Sequence, residues 1–315
     1  MIDNFLFSLN VVAPVFILIL VGYLSKQFNF LNENFVKVTS KFAFNISLPV
    51  LIFMQVFSLN LKQVINFNMI GFIYIATITS FIIIWIISIP FIKNSKDRSS
   101  FIQGAFRSNF AIIGFAIISN FLGKEMVGKA SILLAFILPL YNILAVIVLT
   151  FPSRNEISFR YKDIITEILF NPLIIAVVIG LVFSFWNIKL PEPLSQSGKL
   201  LSELALPLAL IGIGGSLNLG EIKKAPVLAI SASVIKIVII PIIFTSLAYL
   251  LGFRNNDLVI LYILFASPTA IVSFIMAEAM GANSKLAGNI ILISTIGSVF
   301  TFAFGIMILK SFSLI

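Results

Sequence analysis

Two short polar stretches interrupt apolar runs, and they hold the side chains best suited to meet a solute. One reads Arg107-Ser-Asn-Phe-Ala-Ile-Ile-Gly114, the other Ala266-Ser-Pro-Thr-Ala270. Ser267 is a good N-cap residue and Pro268 suits a first helical position, so the second stretch reads as a helix start inside an apolar run. In the first stretch Ser108 or Asn109 would cap a second half-helix. A broken helix frees backbone N–H and C=O groups, which a bilayer tolerates only where the break is buried in protein or lines a polar cavity. Two half-helix N-termini would bring positive dipole ends together, and these favour an anion. The competing reading of Pro268 is a simple proline kink. Ser108, Asn109, Ser267, Pro268 and Thr269 are therefore the expected substrate-facing residues.

Ionisable groups inside apolar runs are few. Lys236 lies mid-run in Val234-Ile-Lys-Ile-Val238, where a charge must face the protein interior and find a partner. It is either a counter-charge for an anion or a coupling residue, or else it is bonded to backbone carbonyls or to a carboxylate such as Glu278. Arg107 is expected to snorkel to the membrane face more than to touch a substrate. Glu278 is expected at an interface. Asn45 and Gln55 in the second run and Asn142 in the fifth are uncharged polar groups whose commonest use is interhelical bonding. Asn45 and Pro49, with Pro207 in the seventh run, are also expected to line the path. The Gly212-Ile-Gly-Gly215 run fits close helix packing.

The elements that carry these groups follow from composition. The chain has 315 residues, 60% hydrophobic and 10% charged, with mean hydropathy +1.13. Ordinary soluble domains carry roughly 25% charged residues, so this surplus of apolar surface calls for a bilayer as solvent. There is no cysteine and no histidine, which removes disulfides, thiol chemistry, and the commonest general base and metal ligand. No metal or other cofactor is expected. The N-terminus has no basic stretch before its first apolar run, against a cleavable signal peptide.

Ten spans are predicted, over residues 6–25, 36–57, 69–92, 100–122, 127–151, 164–186, 194–217, 226–251, 258–280 and 286–309. Of the 21 basic residues, Arg107 and Lys236 are set apart as lying deeper within spans, and the others are counted with the segments that flank the spans or with the span ends. With the N-terminus outside, the external segments hold seven, Lys62, Lys124, Lys129, Lys189, Lys199, Arg254 and Lys310, and the cytoplasmic segments hold the other twelve. The basic bias predicts a multi-pass cell inner-membrane protein with both termini non-cytoplasmic. It explains the net charge of +9 without nucleic acid.

An internal repeat runs through the spans. Pro14 and Pro172, Gly22 and Gly180, Pro49 and Pro207, and Ser58-Leu-Asn60 and Ser216-Leu-Asn218 are each 158 apart, while Ser108 and Ser267, and Phe115 and Phe274, are 159 apart. The offset holds to within one residue across three pairs of spans. Five spans per copy is odd, so the second copy must be inverted, residues 1–155 against 156–315. Inverted repeats are a carrier signature, with the site near the midplane at the repeat interface.

These residues resemble the auxin efflux carrier family. The matching stretches are Ile46-Ser-Leu-Pro49, Arg107 to Gly114, Tyr141-Asn-Ile-Leu144, Asn171-Pro-Leu-Ile-Ile175, Leu206-Pro-Leu-Ala-Leu210, Lys236 with Pro241, and Ser267-Pro-Thr-Ala270 followed by Ala277-Glu278. The resemblance implies an all-α membrane protein of ten transmembrane helices as two inverted five-helix repeats. It also implies a scaffold part and a moving part, broken spans four and nine crossing at the substrate site, and elevator-type alternating access. It places Asn109 and the Pro268 crossover near the substrate and Asn142 along the site. After the crossover this chain has Gly114-Phe115-Ala116 where members often have Gly-Leu-Pro. The long central loop of plant members shrinks here to about residues 152–163.

The expectation is a secondary transporter of small organic anions, carboxylates such as malate or malonate or auxin-like weak acids. The alternative is a sodium- or proton-coupled symporter or antiporter of related fold, although the aspartates usual at such crossovers are missing here. A membrane enzyme lacks its usual acid–base groups. The expected partners are the anion and the lipid bilayer; the oligomeric state is open, a homodimer included.

Overall fold

The computed structural model describes residues 2–58, 66–150, 170, 172–186, 188–217, 227–312 and 314. The described chain is helical, and no strand is present among those residues. The helices are α1 (Ile2–Gln27), α2 (Glu33–Phe57), α3 (Phe67–Phe91), α4 (Ser95–Phe106), α5 (Phe110–Phe121), α6 (Lys124–Thr150), α7 (Pro172–Phe185), α8 (Glu192–Ser216), α9 (Val227–Leu250), α10 (Asn255–Ala266), α11 (Val272–Ala279) and α12 (Ser284–Ser311). The repeat boundary expected at residues 155 and 156 lies outside the described residues, as do Asn60, Asn171 and Asn218, the basic residues Lys62, Arg154, Arg160, Lys162, Lys223 and Lys224, and the start of the sixth predicted span.

Six of these helices are long and apolar enough to cross a membrane: α2, α3, α6, α8, α9 and α12. Four shorter apolar helices accompany them, Ala13–Gln27 within α1, and α5, α7 and α10. Asparagine starts several of them. Asn32, Asn66, Asn94 and Asn283 each accept a backbone N–H of the following turn, satisfying donors that a helix start leaves open. The turn from α5 to α6 needs Gly123, which sits at φ +91°.

Three π-helical turns occur among the described residues, and two of them lie inside long helices, Ala43–Ser47 in α2 and Ile235–Ile239 in α9. Each of these two lies just before a proline, Pro49 or Pro241. A proline cannot donate to the carbonyl four residues back and its ring crowds that carbonyl, so a widened turn relieves the clash.

Large apolar side chains lie exposed along whole helix faces, such as Ile75, Ile82, Ile86 and Ile89 on α3 and Ile230, Ile242, Leu247 and Leu250 on α9. In water such faces would be a liability; against lipid tails they are the solvent-facing surface. Buried hydroxyls mostly return to their own helix, as Ser131 donates to the Val127 carbonyl and Ser233 to that of Ala229.

Helix α8 packs on α1 and α2, and α7 packs on the second half of α2. The contact of α1 with α8 is backbone to backbone. A Cβ on Gly22 would stand 2.2 Å from the Ile211 carbonyl oxygen, and one on Gly214 would stand 1.8 Å from that of Ile19. The Gly212-Ile-Gly-Gly215 run thus does the packing its composition implies. On the other side, α12 packs against α4, α9 and α11, and also against α1.

Candidate functional site

The fourth and ninth predicted spans are both interrupted, and the interruptions meet. Helix α4 ends at Phe106 and α5 begins at Phe110; α10 ends at Ala266 and α11 begins at Val272. Between them Ser108 and Thr269 form an antiparallel bridge, and the Asn109 N–H donates to the Pro268 carbonyl at 2.7 Å. Ser108, Asn109, Ser267, Pro268 and Thr269 are all buried, so the structure brings these five expected residues together.

Each crossing segment completes the helix of the other. The Ser108 hydroxyl donates to the Leu264 carbonyl at 2.6 Å, near the end of α10. The Thr269 hydroxyl donates to the Gly104 carbonyl at 2.7 Å, near the end of α4. The last carbonyls of a helix have no partner within it, and in an apolar setting each would be costly to leave bare. The Ser267 hydroxyl adds a second bond, at 2.6 Å, to the Ile263 carbonyl, which already accepts the Ser267 N–H at 2.9 Å. The segment is also fastened sideways, because the Thr269 N–H donates to Ser294 Oγ of α12 at 3.1 Å.

The capping expected of Ser267 is corrected here. Its hydroxyl donates backwards to the carbonyl four residues earlier and does not accept from the turn ahead, and α11 begins only at Val272. Pro268 therefore sits in the extended crossing and is not a helix start. Ser108 likewise bonds across to α10, and Asn109 at the head of α5 makes no side-chain cap.

Lys236 is 1% exposed, and its ammonium donates to the Phe265 carbonyl at 2.5 Å. Of the two options open from sequence, the geometry matches the bond to a backbone carbonyl. The cation finishes α10 at its negative end, where the helix dipole favours it.

Arg107 does not snorkel. It is 3% exposed, and its guanidinium donates to Asn142 Oδ1 at 2.7 Å and to Met276 Sδ at 2.8 Å. The reason is position: Arg107 follows the last residue of α4, so its side chain lies at the crossing, where Asn142 and Met276 take its donors. Asn142 on α6 is buried as Arg107's acceptor. Glu278 lies on α11, and its side chain is outside the described residues.

Gly114 makes the crossing possible. A Cβ there would meet the Phe110 ring at 2.4 Å and Ser267 Oγ at 3.0 Å. A π-helical turn, Phe110–Gly114, opens α5.

A cavity of about 490 Å³ lies between α1, α2, α5, α6 and α8. Helix α5 presents Ala116, Ser119 and Asn120 to it, one face at helical spacing. Pro207 and Gln55 line it, as does Pro14. Asn45 and Pro49 do not. Asn45 is exposed and bonds to the Lys41 carbonyl of its own helix, and Pro49 is half-buried. The sequence reading missed Met276, Ser294 and the Gly104 carbonyl. The polar group Ser294, Thr295 and Ser298 inside the apolar tenth span was the available signal for the second of these.

Residues 7–306 match the family described as membrane transport protein. An uncharacterized transporter of Methanocaldococcus jannaschii is 22% identical over 302 residues, covering 94% of this chain and 96% of its own length. One from Methanothermobacter thermautotrophicus is 23% identical over 296 residues, 93% of this chain and 95% of its own. A Rhizobium meliloti protein provisionally named a malonate transporter is 29% identical over 150 residues, 47% of each chain. The match over nearly the whole length, with apolar helices throughout, makes this chain a multi-pass membrane protein that belongs to the membrane transport protein (auxin efflux carrier) family, a transporter and not an enzyme.

Proposed function

We propose that the chain carries small organic anions, carboxylates such as malate or malonate or auxin-like weak acids, by elevator-type alternating access. In this reading it has ten spans in two inverted five-helix repeats, lies in the cell inner membrane, and keeps both termini outside. The substrate meets Asn109 and the crossing segments, where the starts of α5 and α11 offer positive dipole ends.

The observation that carries the reading is the meeting of the two interrupted spans at Ser108 and Thr269, with the buried guanidinium of Arg107 beside it. The packing of α8 on α1 and α2, and of α7 on α2, supports a fixed part, and the helices joined at the crossing support a moving one. The partial likeness to a protein named for malonate supports the carboxylate class.

The test is uptake by purified protein in liposomes. Labelled malate or malonate should accumulate, and Asn109→Ala should abolish accumulation in a protein that still melts like the wild type. Uptake confined to neutral or cationic solutes would end the anion reading.

A further inference from the structure

The cavity walled in part by α5 carries a charge pair at its edge. Most of its wall is apolar, from Pro14, Leu18, Leu51, Leu206 and others, but polar groups gather at Gln55, Asn120, Lys124, Ser202 and Glu203. Lys124 Nζ stands 3.2 Å from Glu203 Oε1, and both side chains are more than half exposed. Lys124 opens α6 directly after the Gly123 turn, so it is tied through α5 to the crossing. Glu203 belongs to α8, which is seated on α1 and α2. Among the described residues two other ion pairs occur. Lys26 pairs with Glu33 at the turn from α1 to α2, and Lys129 pairs with Asp257 between α6 and α10. Lys124–Glu203 alone of the three reaches from the α5–α6 wall of the cavity to the α8 wall.

We propose that Lys124 is an anion-binding group at the cavity edge and that Glu203 is a built-in competitor for it, so that an arriving carboxylate exchanges with the Glu203 carboxylate. The inference rests on the anion-carrier reading and adds a subsite that the crossing does not supply. The chemistry is symmetric: one carboxylate replaces another on the same ammonium, and no charge is newly buried. An exposed pair is weak, so the exchange is easy. Once displaced, Glu203 stands beside the bound anion as a like charge and shortens its stay. The repulsion is stronger for a dianion than for a monoanion, because it scales with the charge of the solute. The subsite therefore hands solutes on and does not hold them.

The experiment is concentration-dependent uptake in liposomes with the wild type, Glu203→Gln, Lys124→Gln and the double variant, using one monocarboxylate and one dicarboxylate. Glu203→Gln should lower KM about 2- to 5-fold, the range an exposed ion pair commands, and more for the dicarboxylate. Lys124→Gln should raise KM, Lys124→Arg should restore it, and in the Lys124→Gln background the Glu203 change should do nothing. Melting temperatures identify any variant that fails to fold, and Glu203→Ala then replaces Glu203→Gln. An unchanged or raised KM for Glu203→Gln, or an equal fall in both backgrounds, overturns the subsite while leaving the carrier reading intact. A wild type that takes up no carboxylate overturns both.

Discussion

The ammonium of Lys236 donates to the carbonyl oxygen of Phe265, closing the last turn of α10 from a neighbouring helix. Removing it leaves that carbonyl bare in an apolar interior. Lys236→Met, which keeps the length of the side chain, should lower stability by about 1–2 kcal/mol, seen as a lower melting temperature in detergent. KM for the transported anion should not move. A several-fold rise in KM with an unchanged melting temperature would mean that Lys236 holds the solute instead.

Gly114 leaves room for the Phe110 ring and for Ser267 at the crossing. Gly114→Ala should destabilise by about 1–3 kcal/mol, the usual cost of overpacking, with uptake falling alongside. Gly71, in α3, faces open space with nothing within 4 Å of an added Cβ. Gly71→Ala should therefore stabilise by roughly 0.5–1 kcal/mol through helix propensity. Equal responses of the two variants in thermal melts would contradict the packing described at Gly114.

Arg107 and Asn142 share a buried hydrogen bond of 2.7 Å, and the same guanidinium also reaches Met276. A lysine is a point charge and cannot span both acceptors as a planar fork does. Arg107→Lys should then lose most uptake despite keeping its charge. A double-mutant cycle of Arg107→Lys with Asn142→Ala should show a coupling of about 0.5–3 kcal/mol in uptake rate. Additive losses would show that the two side chains act separately.

Asn283 has two tasks. Its side-chain oxygen caps α12 through the Leu286 N–H at 2.9 Å, and its amide donates to Asp97 at 2.7 Å. Asn283→Ala should cost about 1 kcal/mol or more from the cap, while Asp97→Ala should cost less, since the cap survives. Melting curves of the two variants, ranked the other way, would count against this division.

Ser108, Thr269 and their neighbours could be found from sequence because polar residues and a proline inside an apolar run have few explanations in a membrane. The direction of their bonds could not. A serine hydroxyl donates to the carbonyl four residues back as readily as it accepts from the turn ahead, and only the arrival of the other segment decides. Lys236 was visible as a charge needing a partner, but any nearby carbonyl would have served. Arg107 was misjudged because its depth depends on where α4 stops. The cavity left no local trace, for five helices build it, and its two charges are 79 residues apart: Lys124 reads as a loop charge, and Glu203, inside the seventh predicted span, was not singled out.

The hydroxyls of Ser108 and Thr269 bind the two interrupted spans reciprocally. Sliding one past the other would strip the Leu264 and Gly104 oxygens of their donors together, a costly loss in buried surroundings. The crossing thus behaves like a splice: it travels whole or stays put. In the carrier reading proposed above, a stroke that keeps both bonds must slip along other seams of the bundle.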